Sequence, residues 1–370
     1  MSHCTTPTLT IGIDLGKRMS QYCVLNAKGV VRKSERVPST AADFKHVFGK
    51  LPRARIALEA CGISAWVERE LKALGHEVYV ANPRNVALIS KSYKKSDRKD
   101  AEMLARIVAA DPKLLSPITH RGEKAQFDLA KIKLRDVLVR NRVNLVASLR
   151  GILEIQGIEI PRYSTESFHK KLPGILTRDQ FALAKPVLES IECISSSIRE
   201  FDREIERAAK KDYPETELFR SINGVGAITA LAFALTIDDP KRFKKSRDVC
   251  AFLGLTPKTR QSGDSDPELR ITKAGNKYLR KLLVQCAHYI LGPFGHDSDL
   301  REWGLKLAAR GAKNAKKRAL VAVARKLAMI LHRMWITKTE YIPRRHEPHV
   351  VIKHTLKTNK QERKRLAPTV

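Results

Sequence analysis

Four acids carry the clearest chemical content of this sequence: Asp14, Glu59, Asp97 and Asp100. In Ile11-Gly12-Ile13-Asp14-Leu15-Gly16, strand alternation puts Ile11, Ile13 and Leu15 on one face and Gly12, Asp14 and Gly16 on the other. The same alternation in Arg55-Ile56-Ala57-Leu58-Glu59 separates Glu59 from Ile56 and Leu58. Ser96-Asp97-Arg98-Lys99-Asp100 opens a helix, and aspartates three apart share one of its sides, about 5–6 Å from each other at Cβ. If the two strands are neighbours, the four acids converge. Such a cluster repels itself unless cations neutralise it. Hard oxygen donors select Mg²⁺ or Mn²⁺, and two such ions about 3.5–4 Å apart serve phosphoryl transfer. The chemistry implied is a nuclease or strand-transfer site.

Each acid also has a plainer reading. Asp97 suits a helix N-cap and Asp100 a favourable first-turn charge. Glu59 at a strand end is ordinarily just solvated. Asp14-Leu15-Gly16 also opens the first phosphate loop of sugar kinases and actin-like ATPases, although no later ATPase glycine motif follows. The combination, in this order and within one mixed sheet, favours the joint reading.

The elements that must position these acids are legible from patterning. Strands are expected at Thr8 to Ile13, Gln21 to Leu25 and Val30 to Val37, forming a meander with a turn at Asn26-Ala27-Lys28-Gly29. A helix over Thr40 to Lys50, a strand Arg55 to Glu59, a helix Ser64 to Leu74, a strand His76 to Ala81 and a helix from Ser96 complete a mixed α/β domain over residues 1–112. Over 113–212, two amphipathic stripes describe long helices, one through Leu129, Ile132, Val139, Val143, Val146, Leu149 and Leu153, the other through Ile191, Ile194, Ile198, Phe201, Ile205 and Ala208. They form an antiparallel hairpin or an oligomerising coiled coil. A mainly helical domain is expected over 213–342. It contains Gly224-Val225-Gly226 before the apolar run Ile228 to Ile237, which reads either as an ordinary glycine turn or as a helix-hairpin-helix element whose N–H groups hold a phosphate. Residues 343–370 form a basic tail.

The formal net charge of +31 calls for a polyanionic partner, and nucleic acid is favoured. No run approaches eighteen apolar residues and Met1 to Leu9 is too polar for a signal peptide, so no membrane partner and a cytoplasmic location are expected. Cys4, Cys23, Cys61, Cys193, Cys250 and Cys286 lack zinc-site spacing and read as buried, reduced side chains. Ser262, in the polar loop Thr259-Arg260-Gln261-Ser262-Gly263-Asp264, reads from composition alone as a turn residue.

Taken together, Ile11-Gly12-Ile13-Asp14, Leu58-Glu59-Ala60, Lys95-Ser96-Asp97-Arg98-Lys99-Asp100-Ala101, Ile222-Asn223-Gly224-Val225-Gly226, Gly254-Leu255-Thr256-Pro257, Ser262-Gly263 and Ile271 to Arg280 resemble the insertion-sequence one-ten family of "DEDD" transposases, also called bridge-RNA-guided recombinases. The resemblance spans nearly the whole chain. It implies a RuvC-like, ribonuclease-H-type N-terminal domain and a C-terminal transposase domain. It implies that Asp14, Glu59, Asp97 and Asp100 bind Mg²⁺ and that Ser262 attacks the scissile phosphate to form a covalent link to DNA. Here Gln261 precedes Ser262 and Asp264 follows Gly263, where the family loop often carries a second serine or glycine. The resemblance further implies donor and target DNA, a noncoding bridge RNA and a homodimer or homotetramer. A Holliday-junction-type endonuclease using metal-activated water, with Ser262 structural, and a non-catalytic nucleic-acid-binding protein are the competing readings. The charge itself makes a prediction: if six to ten phosphates are neutralised, affinity for nonspecific duplex DNA falls by about 10³–10⁵ between about 50 and 200 mM salt. Fluorescence anisotropy across that range checks it, and a flat response contradicts the basic surface.

Overall fold

The computed structural model describes residues 9–83, 96–260, 269–311 and 313–344. The chain divides into two compact units, Met1–Gly122 and Glu123–Val370.

The first unit is built on β1 (Leu9–Asp14), β2 (Met19–Asn26), β3 (Val31–Pro38), β4 (Ala54–Glu59) and β5 (Glu77–Ala81), in the order β3-β2-β1-β4-β5. The first three strands pair antiparallel, while β1–β4 and β4–β5 pair parallel. This is the mixed sheet that the patterning predicts, and it has the RuvC-like, ribonuclease-H-type form that the resemblance implies. The β2–β3 turn is closed by Asn26, whose Oδ1 accepts from the N–H groups of Lys28 (3.0 Å) and Val30 (2.9 Å). The edge strand β3 is polar, with Val37 its one buried residue, which suits an edge exposed to water.

Alternation along the strands creates two different faces. One carries Ile11, Ile13, Tyr22, Val24, Ile56 and Leu58 and is covered by α1 (Ala41–Phe48) and α2 (Ser64–Ala73) through Phe44, Phe48, Val67 and Leu71. The other carries the small side chains Gly12, Cys23 and Ala57, with Leu25 and Tyr79 beside them, and is covered by α3 (Asp97–Ala110). Here a Cβ on Gly12 would lie 2.0 Å from the carbonyl oxygen of Ala101 and 2.4 Å from the amide of Ala105. The helix backbone therefore rests directly on β1. After α3 the chain returns to the sheet: Leu115 is fully buried and the Ile118 N–H donates to the Val80 carbonyl at 2.8 Å. Those contacts keep the stretch up to Gly122 with the first unit, where the sequence reading places a boundary at 112.

The second unit is helical among its described residues: α4 (Glu123–Ile155), α5 (Phe168–Lys171), α6 (Arg178–Asp212), α7 (Glu215–Arg220), α8 (Ala227–Ile237), α9 (Ser246–Phe252), α10 (Lys277–Leu291), α11 (Asp299–Ala308) and α12 (Ala315–Thr337). Of the two arrangements open from the sequence, α4 and α6 form the antiparallel hairpin. Leu129 and Ile132 share a core with Ile205 and Ala209 at one end, whereas Leu149 and Leu153 share a core with Ala184 and Leu188 at the other. Between these cores the contact is mixed: Ile198 is buried, Arg135 makes a two-pronged pair with Asp202 (2.6 and 3.2 Å), and Arg142 donates to the buried Ser195 hydroxyl (3.3 Å). Helix α8 is apolar all round, so it is central, and every residue from Thr229 to Ile237 is buried among α7, α10 and α12. No helix among the described residues is long and apolar enough to cross a membrane.

The cysteines correct one expectation. Cys23, Cys250 and Cys286 are buried, but Cys61 and Cys193 are exposed, on a loop and on an outer helix face. The Gly12 contact yields a test. Gly12→Val must push α3 off β1 and should cost the first unit about 1–3 kcal/mol or more, read as a lower urea midpoint, while Gly62→Ala, with open space around it, should leave the midpoint unchanged.

Candidate active site

Asp14 and Glu59 are the last residues of β1 and β4, and the parallel register, Ile13 opposite Leu58, carries them to the same sheet edge side by side. Both continue the small-residue rows Gly12–Asp14 and Ala57–Glu59, so they belong to the face under α3. The C-terminal ends of parallel strands are where open α/β sheets ordinarily build their sites. Helix α3 runs antiparallel to β1. Its Arg106 donates to the Gly29 carbonyl (3.3 Å) at the far end of the sheet, while Asp97 pairs with Arg36 (3.8 Å), whose cross-strand partner Gln21 lies opposite Asp14. The first turn of α3, with Asp97 and Asp100, therefore stands at the Asp14–Glu59 end.

The cap of this helix is Ser96, whose side chain accepts from the Lys99 N–H, so Asp97 is a first-turn residue rather than the cap. Both aspartates benefit from the positive end of the helix dipole. Asp14, Glu59 and Asp100 are half-buried and Asp97 is exposed. The Arg36–Asp97 pair is two-thirds solvent-accessible on both sides and thus weak enough to exchange partners. Sequence reasoning missed Arg36, which lies distant in the chain from Asp97 and meets it only through sheet pairing.

The loops leaving the two strands are held firmly. A Cβ on Gly16 would meet the Met19 carbonyl at 2.1 Å, and the Gly16 carbonyl accepts from the Ser39 hydroxyl at 2.7 Å. Beyond Glu59, the Ser64 hydroxyl accepts from the Cys61 N–H (3.0 Å), donates to the Cys61 carbonyl (2.9 Å) and meets Nε2 of His120 (2.9 Å). Burial pushes the His120 imidazole below its ordinary value. Arg121, Lys72 and Arg69 act in the same direction, and Glu68, 4.0 Å away, opposes them.

An all-oxygen donor set on one face and at one end of the sheet fits a hard divalent cation in its chemistry and placement. In their present rotamers, however, no three His, Cys, Asp or Glu side chains among the described residues group closely enough to hold a metal ion. The acids are brought to a common edge, not into a finished coordination sphere.

In the second unit, Ser262 and Gly263 lie outside the described residues, as do Lys95 and the tail beyond Arg344. The stem from which the Ser262 segment departs is described. Thr256 and Lys258 pair with Thr272 and Arg270 through backbone bonds of 2.9 and 3.0 Å. Gly254 (φ +68°) and Gly275 (φ +78°) interlock below it: a Cβ on either would strike the opposite backbone, at 2.1 Å from the Ala274 oxygen and 1.9 Å from the Phe252 oxygen. Arg280 then donates to the carbonyls of Leu253 (2.8 Å) and Ala274 (3.1 Å), and Asn276 caps α10. Gly254 to Pro257 and Ile271 to Arg280 are thus one rigid clasp.

A RuvC-like sheet with acids at its strand ends defines a class of nucleic-acid-processing enzymes, and comparison with known proteins narrows it. A family model described as "Transposase" matches residues 11–156, and one described as "Transposase IS116/IS110/IS902 family" matches residues 216–299. The chain is 30% identical over 343 residues to the transposase for insertion sequence element IS1328 of Yersinia enterocolitica, covering 90% of this chain and 98% of that protein. It is 29% identical over 328 residues to the transposase for insertion sequence element IS1111A of Coxiella burnetii (87% and 88% covered) and 25% identical over 277 residues to a pilin gene-inverting protein of Moraxella lacunata (74% and 76% covered). This chain belongs to the IS116/IS110/IS902 family of transposases, enzymes of mobile insertion sequences that cleave and recombine DNA.

The His120 environment predicts a pH effect. Because the folded state disfavours the imidazolium, the unfolded state binds the proton more readily, and stability falls as pH drops from about 6.5 through the lower folded value. The stability difference between wild type and His120→Gln, from urea midpoints, should therefore shrink on acidification from about pH 7.5 to 5. A constant difference contradicts a folded state that disfavours the His120 imidazolium.

Proposed function

We propose that this transposase cuts and rejoins DNA by Mg²⁺-dependent phosphoryl transfer, with Ser262 as the attacking group and a noncoding RNA of the element as guide. The observation that carries the reading is the meeting of Asp14 and Glu59 with the first turn of α3 on one face and one edge of a ribonuclease-H-type sheet. Asp14, Glu59, Asp97 and Asp100 would hold the cation, with Mn²⁺ as a substitute and with Asp97 leaving Arg36 to do so. When bound, the ion would supply charge neutralisation at the scissile phosphate and lower the pKa of a nearby hydroxyl.

The steps that fall to the chain are a transesterification and its reversal. The Ser262 oxygen forms a bond to phosphorus as the bond to a deoxyribose oxygen breaks, and the serine proton passes through solvent to the released oxygen. A second strand's hydroxyl then displaces Ser262 from the phosphoserine, restoring the serine. One phosphoester bond is exchanged for another at each step, so no high-energy cofactor is needed. A gene-inverting protein among the relatives favours rejoining over simple hydrolysis, since inversion requires cut ends to be joined again.

A guide RNA and two DNA segments together present enough phosphate to match a charge of +31. Base pairing would read the sequence while the protein holds backbones. Assembly as a dimer or tetramer is supported by apolar side chains that α4 leaves exposed on one side, Leu134, Val137, Ile152 and Ile155.

Incubating the protein with Mg²⁺, its RNA and end-labelled donor DNA, followed by denaturing electrophoresis, tests the reading. Wild type should give a covalent protein–DNA adduct that Ser262→Ala does not form, and Asp14→Asn or Glu59→Gln should lower cleavage by about 10²–10³, the cost of removing one group that stabilises transition-state charge. Nicking that survives in Ser262→Ala assigns the attack to water and the enzyme to the hydrolytic endonucleases. Unchanged cleavage in Asp14→Asn removes the carboxylate site.

A further inference from the structure

The stem beneath the Ser262 segment carries its charge in an arrangement that a two-stranded ribbon ordinarily avoids. Pro257 and Ile271 are bridge partners in an antiparallel pair. The backbone bonds on either side of them, Lys258 N–H to the Arg270 carbonyl (3.0 Å) and Thr272 N–H to the Thr256 carbonyl (2.9 Å), fix the register. Lys258 therefore stands directly opposite Arg270. Side chains alternate across a ribbon, so Pro257 and Ile271 leave it on one face and Lys258 and Arg270 on the other. Ile271 packs against the core of the second unit, which turns the face with the two bases to water, and both are exposed.

Like charges directly opposite each other on a ribbon are unfavourable. Neither base has a carboxylate partner among the described residues, and the described residues from Val249 to His296 contain no Asp or Glu at all. The same stretch adds Arg260, Lys273 and Lys277 as exposed bases. Asp264, Asp266 and Glu268 belong to the intervening segment, outside the described residues. The two charges also have little room to separate. Gly254 and Gly275 interlock beneath the ribbon, and Lys273 is kept at φ +55°, a left-handed conformation that a residue with a Cβ seldom adopts, while its N–H donates to the Gly254 carbonyl (3.1 Å). The Asn276 side chain already takes the N–H groups of Tyr278 and Leu279, so the start of α10 is not part of the site.

We propose that this face of the stem grips a backbone phosphate, between Lys258 and Arg270, of the DNA strand that the Ser262 loop cuts. A phosphodiester anion turns two repelling cations into partners, and the Arg270 guanidinium offers it two parallel donors. DNA is the occupant because the ribbon leads directly into the Ser262 segment. From Lys258 to Ser262 the chain spans at most about 14 Å, roughly four nucleotides of strand rise. The inference rests on the reading of Ser262 as the attacking group and adds to it the place where the strand is held beside the cut.

Anisotropy titrations of the full-length protein, with a duplex DNA and with an RNA duplex of the same sequence, test the grip across about 50 to 200 mM salt. In Lys258→Gln/Arg270→Gln the slope of log affinity against log salt should become shallower on DNA by about 0.9 for each phosphate no longer neutralised. The exchange variant Lys258→Arg/Arg270→Lys should retain the wild-type slope, which ties the effect to charge. Lys185→Gln, which removes a base on α6 already facing Glu189, should retain it as well. Because opposed like charges are unfavourable, the urea midpoint of the double variant should be no lower than that of wild type, which separates lost contact from lost fold. In the covalent-adduct assay, an uncharged methylphosphonate within about four nucleotides of the scissile phosphate should lower the yield of wild type and add no further loss to the double variant. An unchanged DNA slope in the double variant overturns the proposal, as does a slope that falls on RNA alone, which assigns the face to the guide. A methylphosphonate effect of equal size in both proteins overturns it too. If wild type forms no adduct with Mg²⁺ and its RNA while the double variant still loses slope on DNA, the Ser262 reading falls and the grip stands as a DNA contact.

Discussion

The contact of the α3 backbone with Gly12 is the constraint on which the first unit turns. A helix normally stands about 10 Å off a sheet, held away by side chains; here the strand surface under the helix is lowered at Gly12, Cys23 and Ala57, and the helix descends onto it. That descent brings the first turn of α3 to the strand ends where Asp14 and Glu59 emerge. A bulkier residue at position 12 would leave every acid in place along the chain and still separate the helix acids from the strand acids. The same contact sets the electrostatics, because it aims the positive end of α3 at the edge where negative charge accumulates. Partial charge from backbone amides and the exchangeable Arg36 together make a cluster of carboxylates tolerable.

The second unit solves a different problem with the same device. Its catalytic candidate belongs to a polar loop, and a polar loop has little hydrophobic surface with which to position itself. Gly254 and Gly275, each in a left-handed conformation, let two backbone segments interlock, and Arg280 locks the carbonyls that the turns leave over. Precision is thereby placed in the stem.

Much of this was legible in the residues. Alternation gave β1, β2 and β4 within one or two positions and put Asp14 and Glu59 on a common face, since one side of each strand is continuously apolar. Helical spacing found α4, α6 and the end of α12 at Thr337. What escaped were contacts between distant residues. Nothing local in the chain announces that Ser64 meets His120, that Arg36 meets Asp97, or that Arg280 reaches back to Leu253. The stripe on α4 reads with one gap, at Asp136, yet Val143 is exposed as well, and the facing surfaces between the two cores carry Arg135, Asp202, Arg142 and Ser195. Periodicity reports which side of a helix is apolar, but it does not report where a partner is absent. Cys61 and Cys193 failed for a related reason: cysteine is usually buried, but a residue on a loop or an outer helix face goes where its backbone takes it.

That polar collar in the α4–α6 hairpin gives the arm its mechanics. Two apolar cores are separated by Arg135, Asp202, Arg142 and Ser195, with Ile198 buried among them, so apolar packing thins across the gap. Each core is a cooperative segment of its own, and the ion pair between them yields more readily than packed side chains do. Both helices run unbroken through the collar, so it is their backbones, more than a shared apolar core, that join the two ends of the arm.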